Sequence, residues 1–175
     1  MGKLRKKGGY CVQSDLNIIP FRLNTFDIVC AFEVLEHLSN DQEVLINLAR
    51  VLKNDGKIFI SVPLHEKLFN EYDRAVGHVK RYNPEDIEVL FKNAGLTIEK
   101  FSGMDVPWPS NKSAKLLVFL ERNFPWFIPV SIKAIDSLPF TSSRRPIQLK
   151  DWDLTAAQNE LAKVSTGFFV LKKQF

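Results

Sequence analysis

Two carboxylates and an imidazole directly follow one of the most apolar short stretches of the chain. Glu33, Glu36 and His37 come just after the run Ile28–Phe32, which is typical of a strand buried on both faces. Open α/β sheets bind their ligands just past the carboxyl ends of such strands. If the turn is helical, all three side chains share one face and could ligate a divalent cation. Ordinary hydrogen bonding of these side chains is the favoured alternative to a metal.

The three histidines are the candidates for proton transfer. His37, His65 and His78 each follow a predicted strand end, and an imidazole titrates near neutral pH and can remove a proton from an alcohol or phenol. His37 and His78 are the best candidates for a catalytic base, although each histidine could instead be a hydrogen-bonding group of a loop.

The long segment 64–83 has no clear period, and such segments are often functional lids. Asp73, Arg81 and Tyr82 lie in this segment and could close over a substrate. An ion pair between Asp73 and Arg81 that only orders the loop is an equal alternative.

Alternating strands and helices must position these residues. The apolar patterns predict strands and helices in turn: strands at Tyr10–Ser14, Asp27–Phe32, Lys57–Val62, Leu96–Phe101 and Thr166–Leu171, and helices at Asp41–Lys53, from Pro84 to Ala94, at Ala114–Arg122 and at Ala156–Lys163. This order indicates an α/β fold with a mostly parallel sheet. The last two strands could pair as a C-terminal edge hairpin, with residues 104–165 as a variable insertion between them. Asn40 and Glu43 have the spacing of a capping box, and a turn is predicted at Asn54–Gly56.

Composition narrows the possible partners. The 175 residues are 45% hydrophobic and carry a net charge of +4, which is ordinary for a soluble domain. Basic residues are not clustered with aromatic platforms, so no nucleic-acid partner is expected. Two cysteines, predicted to be buried in strands, favour a reducing, cytoplasmic location. No signal peptide or transmembrane segment is recognised, but the apolar insertion around Phe124–Pro129 could line an acceptor pocket or touch a membrane surface.

Five short motifs in order resemble the class I S-adenosylmethionine-dependent methyltransferases of the type 11/23-like group. The similarity extends from Tyr10 to Phe101 and rests on these segments: Ser14–Leu16, Ile19–Phe21, Phe26–Val29, Leu35–His37 and Leu52–Gly56. The segment Asp73–Tyr82 also resembles the loop after the fifth strand in one branch of these enzymes.

The resemblance implies roles for particular residues. Asp15 would accept a hydrogen bond from the adenine amino group of S-adenosylmethionine, and the Leu16 amide would address the ring. The backbone of Ala31, Phe32 and Glu33 would lie beside the amino-acid end of the cofactor. A turn-capping role is the alternative for Asp15, and core packing is compatible with the role of Phe32. A branch of quinone O-methyltransferases uses an E-x-x-E-H arrangement for a metal, which Glu33, Glu36 and His37 match.

Two features of the resembled family have no counterpart here. The Gly-rich cofactor loop and the acid after the second strand are missing, so the sequence predicts a single partial domain over residues 1–175, without the first two strand–helix units. The Asp27–Phe32 strand would then be an exposed apolar edge and an association hazard. Either the Tyr10–Ser14 strand pairs there directly, or another polypeptide does, which includes a second copy of this chain. The expected function is methyl transfer to a small, lipophilic acceptor, and the alternative is a non-catalytic remnant that acts as a binding module. A nicotinamide dehydrogenase is disfavoured, because no G-x-G-x-x-G follows a strand.

Overall fold

A computed structural model describes residues 10–104 and 147–174, together with positions 115, 116, 118, 119 and 123. The strands of the described part are these: β1 (Phe26–Phe32), β2 (Leu52–Pro63), β3 (Leu96–Met104), β4 (Lys150–Asp151) and β5 (Thr166–Lys173). The helices are α1 (Asp41–Val51), α2 (Glu71–Ala75), α3 (Pro84–Asn93) and α4 (Leu154–Leu161). Short 3-10 turns span Leu35–His37 and Glu66–Leu68. No helix in the described residues is long and apolar enough to cross a bilayer.

The strands form one mixed sheet in the order β1-β2-β5-β3-β4. β1 and β2 are parallel, whereas β5 runs antiparallel to both β2 and β3. The α/β class is confirmed, but among the described strands only the neighbours β1 and β2 pair in parallel, because β5 runs in the opposite direction between β2 and β3. The two strands predicted as a hairpin do pair, with β5 between β2 and β3 and only the two-residue β4 outside β3.

Apolar faces of the helices cover this sheet. Val44, Leu45 and Leu48 of α1 are buried, and they recur at the spacing that places side chains on one helical face. Phe91 of α3 is fully buried, and its ring centroid is 5.5 Å from that of Phe169 on β5. Gly95 ends the Pro84 helix in the left-handed region, at φ 71°, as a residue without Cβ readily does. The described residues therefore share one core around the centre of the sheet.

Several local predictions are wrong. Tyr10–Ser14 is not a strand, and Tyr10 is fully exposed, because no described strand lies beside it to share hydrogen bonds. Asn54–Gly56 is not a turn that ends α1 but lies within β2, where the register to β1 shifts between Phe26 and Ile28. The side chain of Asn40 does not cap α1 but donates to Asn17.

β1 forms one end of the described sheet. Ile28 is 60% exposed and Phe32 is 48% exposed, and Cys30 is also exposed. The prediction that both cysteines are buried is therefore wrong, because Cys11 is half-buried outside any strand and Cys30 lies on this edge. The prediction of an exposed apolar edge at this strand agrees with the described residues.

Candidate functional site

The carboxyl end of β1 continues into a tight turn that begins at Glu33. Glu33 has a positive φ of 50°, a conformation that is rare for a residue with a side chain and costs free energy. Its backbone N–H donates to the carbonyl of Ser61 at 3.2 Å, and the Ser61 hydroxyl donates to Glu33 Oε1 at 2.7 Å. These bonds tie Glu33 to the neighbouring strand β2, so its carboxylate points to Ser61.

Glu36 carries the most unusual side chain of this turn. It is fully buried, and within the described part of the structure neither carboxyl oxygen accepts a hydrogen bond. Burial raises the pKa of Glu36 to about 7. The polar backbone N–H of Glu36 itself partly opposes this rise, and the charge of Glu33 adds to it. A buried carboxyl group without a donor is costly, so this position requires a proton or a cation beside it.

Two imidazoles face Glu36 from different parts of the chain. His37 Nε2 and His78 Nε2 each lie 3.8 Å from Glu36 Oε1, and the two ring centroids are 4.7 Å apart at a steep angle. His37 Nδ1 is 3.0 Å from the Gly77 carbonyl, and His78 Nδ1 is 2.9 Å from Asp73 Oδ1. We call Glu36, His37 and His78 the Glu36 cluster.

The predicted lid residues Asp73 and Arg81 hold His78 in this cluster. Both side chains are fully buried and joined by a 2.8 Å bond from Arg81 Nε to Asp73 Oδ1. Asp73 also accepts the Asn70 amide in a capping box at the start of α2. Burial alone would raise the pKa of Asp73, but hydrogen bonds from Arg81, Asn70 and His78 and the charge of Arg81 lower it overall. Asp73 is therefore an ionised anchor for an imidazole, as in the loop-ordering alternative.

Tyr82 fastens the far end of the same loop to α1. Its hydroxyl donates to Asp41 Oδ2 at 2.7 Å, and Lys80 Nζ is 2.9 Å from Asp41 Oδ1. Burial and the Asp41 carboxylate together raise the pKa of Tyr82 above its usual value. The Val79 N–H donates to the Glu36 carbonyl at 2.8 Å, so the loop is closed over the turn that carries the Glu36 cluster.

The predicted cofactor residues lie on two segments. The Asp15 carboxylate is exposed and accepts the backbone and side-chain N–H groups of Asn17 at 2.9 and 2.8 Å, which is the turn-capping arrangement. Leu16 is half-buried, and its carbonyl accepts a 3.3 Å hydrogen bond from Asn47 of α1. At the end of β1, Ala31 is buried and Phe32 stacks on Phe168 with centroids 5.4 Å apart.

The structure groups the candidate ligands differently from the sequence pattern. Glu33, Glu36 and His37 were the predicted metal set, but His78 lies with Glu36 and His37, and one ligand atom from each residue lies within 4.8 Å of the other two. The spacing of residues in the sequence could not predict that His78 lies beside Glu36, because the two residues are far apart along the chain. The similarity of Asp73–Tyr82 to a known loop was the available signal. His65 lies elsewhere, with Nε2 3.0 Å from the carbonyls of Leu161 and Val164.

The fold and the site together define an α/β protein with polar chemistry at the carboxyl end of a parallel strand pair. A sequence profile of the methyltransferase domain family matches residues 3–100, more than half of the chain. The chain therefore belongs to this family, the class I S-adenosylmethionine-dependent methyltransferases.

Curated relatives are similar over part of their length. A ubiquinone biosynthesis O-methyltransferase of Xanthomonas oryzae pv. oryzae is 30% identical over 113 residues, which are 57% of this chain and 47% of that protein. A ubiquinone/menaquinone biosynthesis C-methyltransferase of Blochmanniella pennsylvanica is 35% identical over 71 residues, 39% of this chain and 28% of that protein. The chain thus spans half or less of the length of these relatives.

A solved structure supports the fold. The crystal structure of a Bacillus halodurans C-125 protein that has been assigned as a methyltransferase aligns with this chain. The alignment covers 97% of this chain and 75% of that protein chain. The TM-score is 0.60 at 16% sequence identity, so this likeness concerns the fold alone.

Proposed function

We propose that this chain transfers the methyl group of S-adenosylmethionine to a hydroxyl group of a small, lipophilic acceptor. The observation that carries the proposal is the Glu36 cluster, which follows the carboxyl end of β1 in a member of a methyltransferase family. Ligands of α/β sheets bind at this end of the strands. The polar groups of the Glu36 cluster therefore lie at the end of the sheet where such folds bind their ligands.

The residues that the family resemblance assigns to the cofactor lie in the segment around Asp15 and at the end of β1. Asp15 presents an exposed carboxylate, and its turn is attached to the start of α1 through Asn17 and Asn40. Phe32 is half-exposed at the end of β1. These residues would serve part of the cofactor: Asp15 and Leu16 would hold the adenine, and the backbone of residues 31–33 would lie by the amino-acid end, whereas the sequence offers no counterpart of the Gly-rich loop or of the ribose-binding acid. When bound, the cofactor supplies an electrophilic methyl group on a sulfonium.

The Glu36 cluster would remove the proton from the acceptor hydroxyl. Transfer to a hydroxyl oxygen requires alignment of that oxygen and removal of its proton. The side chain of His37 is 38% exposed, compared with 5% for His78, so His37 is our candidate for the group that contacts the acceptor. Asp73 positions His78, and Glu36, with a pKa of about 7, can hold a proton near neutral pH.

The relatives support the lipophilic acceptor. Two of them are named for ubiquinone or menaquinone biosynthesis, one as an O-methyltransferase and one as a C-methyltransferase. The apolar insertion predicted to line the pocket, including Phe124–Pro129, lies outside the described residues. Contact with a membrane surface and the absence of a nucleic-acid partner stay predictions, as do the insertion boundaries 104–165 and the single partial domain.

Among the described strands β1 is the outermost one, and its free edge supports a second element of the proposal. An unpaired apolar strand is a template for pairing with another chain, and Ile28 and Phe32 are half-exposed or more on this strand. We expect the chain to self-associate through β1.

Calorimetric titration with S-adenosylhomocysteine tests the proposal, after the chain is shown to be folded and monodisperse. The missing Gly-rich loop predicts weak binding by this chain alone, so we expect weak but saturable binding. Asp15→Ala should abolish it, and Asp55→Ala, at an exposed aspartate in the β2 bulge, should leave it unchanged. A folded chain without binding would contradict the proposal and favour the non-catalytic binding module.

A further inference from the structure

A cleft between α1 and the segment that follows Asp15 has no role in the proposed function. Its volume is about 220 Å³. Most of the residues that line it are apolar: Ile18, Ile19, Phe21, Leu23 and Val51. Ile18 is 76% exposed and Leu23 is 59% exposed, so these side chains lie at the surface rather than in the core. Apolar side chains that gather around a cleft at the surface are typical of a binding site.

Hydrogen bonds at both ends of this segment fix the walls of the cleft. At one end, Asn47 Nδ2 of α1 donates to the Asn17 carbonyl at 2.9 Å. At the other end, the Thr25 N–H donates to the Val51 carbonyl at 2.8 Å. No described backbone hydrogen bond joins residues 18–23 to α1 between these two ends. The cleft is therefore held in shape before a ligand arrives, which reduces the entropy lost on binding.

Arg50 is the charged residue among those that line the cleft. It is exposed, and no carboxylate of the described residues lies within ion-pair distance of it. Arg50 belongs to the last turn of α1, where backbone carbonyls carry partial negative charge. The Arg50 carbonyl accepts the Asn24 N–H at 3.1 Å, so its partial charge is compensated. A guanidinium in this position suits a carboxylate, with which it forms charge-assisted hydrogen bonds.

We propose that this cleft binds a small aliphatic carboxylate, with its chain against the apolar walls and its carboxylate on Arg50. Apolar cavities of about 150 Å³ hold a benzene ring. A cleft of about 220 Å³ therefore accommodates a chain of about six to eight carbons. The same chain with an ammonium group would be repelled by Arg50. The inference goes beyond methyl transfer, because this binding requires neither cofactor nor acceptor.

Calorimetric titration of the chain with sodium octanoate, below its micelle concentration and at constant ionic strength, tests the proposal. We expect one octanoate per chain. Hexanoate should bind about 15-fold more weakly, since each buried methylene group contributes about fourfold. Acetate, which has the charge without the chain, and octylammonium, which has the chain with the opposite charge, should show no saturable binding at the same concentrations.

Two substitutions at exposed positions test the two halves of the cleft. Arg50→Gln should weaken octanoate binding about 10- to 100-fold, the range expected for a lost hydrogen bond to a charged group. Leu23→Asn should weaken it at least about fivefold, because it removes part of the apolar wall. Lys92→Gln, in the last turn of α3, and Val89→Asn, at a 57% exposed position of the same helix, are the matched controls and should keep the affinity of the natural chain.

Several results would overturn the proposal. A folded chain without octanoate binding would do so, as would equal binding of octylammonium, which indicates adsorption of the chain alone. Full affinity in Arg50→Gln would assign Arg50 to the helix end only. A loss of affinity in Lys92→Gln or Val89→Asn as large as in Arg50→Gln or Leu23→Asn would show that the ligand does not bind in this cleft.

Discussion

Replacement of Asp73 by asparagine should greatly destabilise the chain. The Asp73 carboxylate accepts hydrogen bonds from the Asn70 amide at 2.9 Å and from Arg81 Nε at 2.8 Å, and it lies 2.9 Å from His78 Nδ1. An asparagine of the same shape turns an NH₂ group toward one of these donors and removes the negative charge that lies beside the Arg81 guanidinium. Breaking a buried ion pair by removal of one partner costs about 3–5 kcal/mol.

A matched change on the same helix provides the control. Glu71 also belongs to α2 and pairs with Arg74, but the two side chains are 49% and 59% exposed. Exposed ion pairs contribute about 0–1 kcal/mol, so Glu71→Gln should change the free energy of unfolding by about 0.5 kcal/mol or less. Both substitutions convert a carboxylate to an amide, so their difference isolates the effect of burial.

Urea unfolding is the appropriate assay. With a slope of about 2 kcal/mol per molar urea, a loss of about 3–5 kcal/mol lowers the midpoint by about 1.5–2.5 M. The slopes should be the same for both variants and the natural chain. If Asp73→Asn and Glu71→Gln shift the midpoint equally, the Asp73–Arg81 pair does not lie in the interior and the anchoring of His78 must be rejected.

Three further substitutions test other parts of the structure. Tyr82→Phe should destabilise the chain by about 1.5–3 kcal/mol in urea, the usual contribution of a hydrogen bond to a charged group such as Asp41; a negligible effect would contradict that bond. Phe169→Ala should cost about 3–5 kcal/mol in the same assay, and a cost near zero would contradict the central position of β5. Ile28→Lys should reduce self-association in sedimentation velocity while leaving stability within about 0.5 kcal/mol; a natural chain that stays monomeric at high concentration would argue against pairing through β1.

Local sequence determined those elements whose signals lie within one segment. The apolar run after Asp27 was sufficient for β1, and Pro84 and Gly95 bounded α3 correctly, because proline favours a helix start and glycine favours its end. The family was likewise recognisable from the sequence, because each of its motifs spans only a few consecutive residues. The turn after β1 was also recognisable, since acids and a histidine follow an apolar strand.

Only the tertiary structure decided the pairing of distant residues. Tyr10–Ser14 has a strand-like composition but lacks a described partner strand, and a strand is stable only when a neighbour accepts its hydrogen bonds. Cys30 is exposed because the described sheet ends at β1. His78 lies with Glu36 and His37 in place of the predicted Glu33, because Ser61 binds the Glu33 carboxylate and Asp73 holds the His78 ring. Such contacts depend on how the loop after β2 folds back over the turn after β1, which no spacing within a single segment can encode.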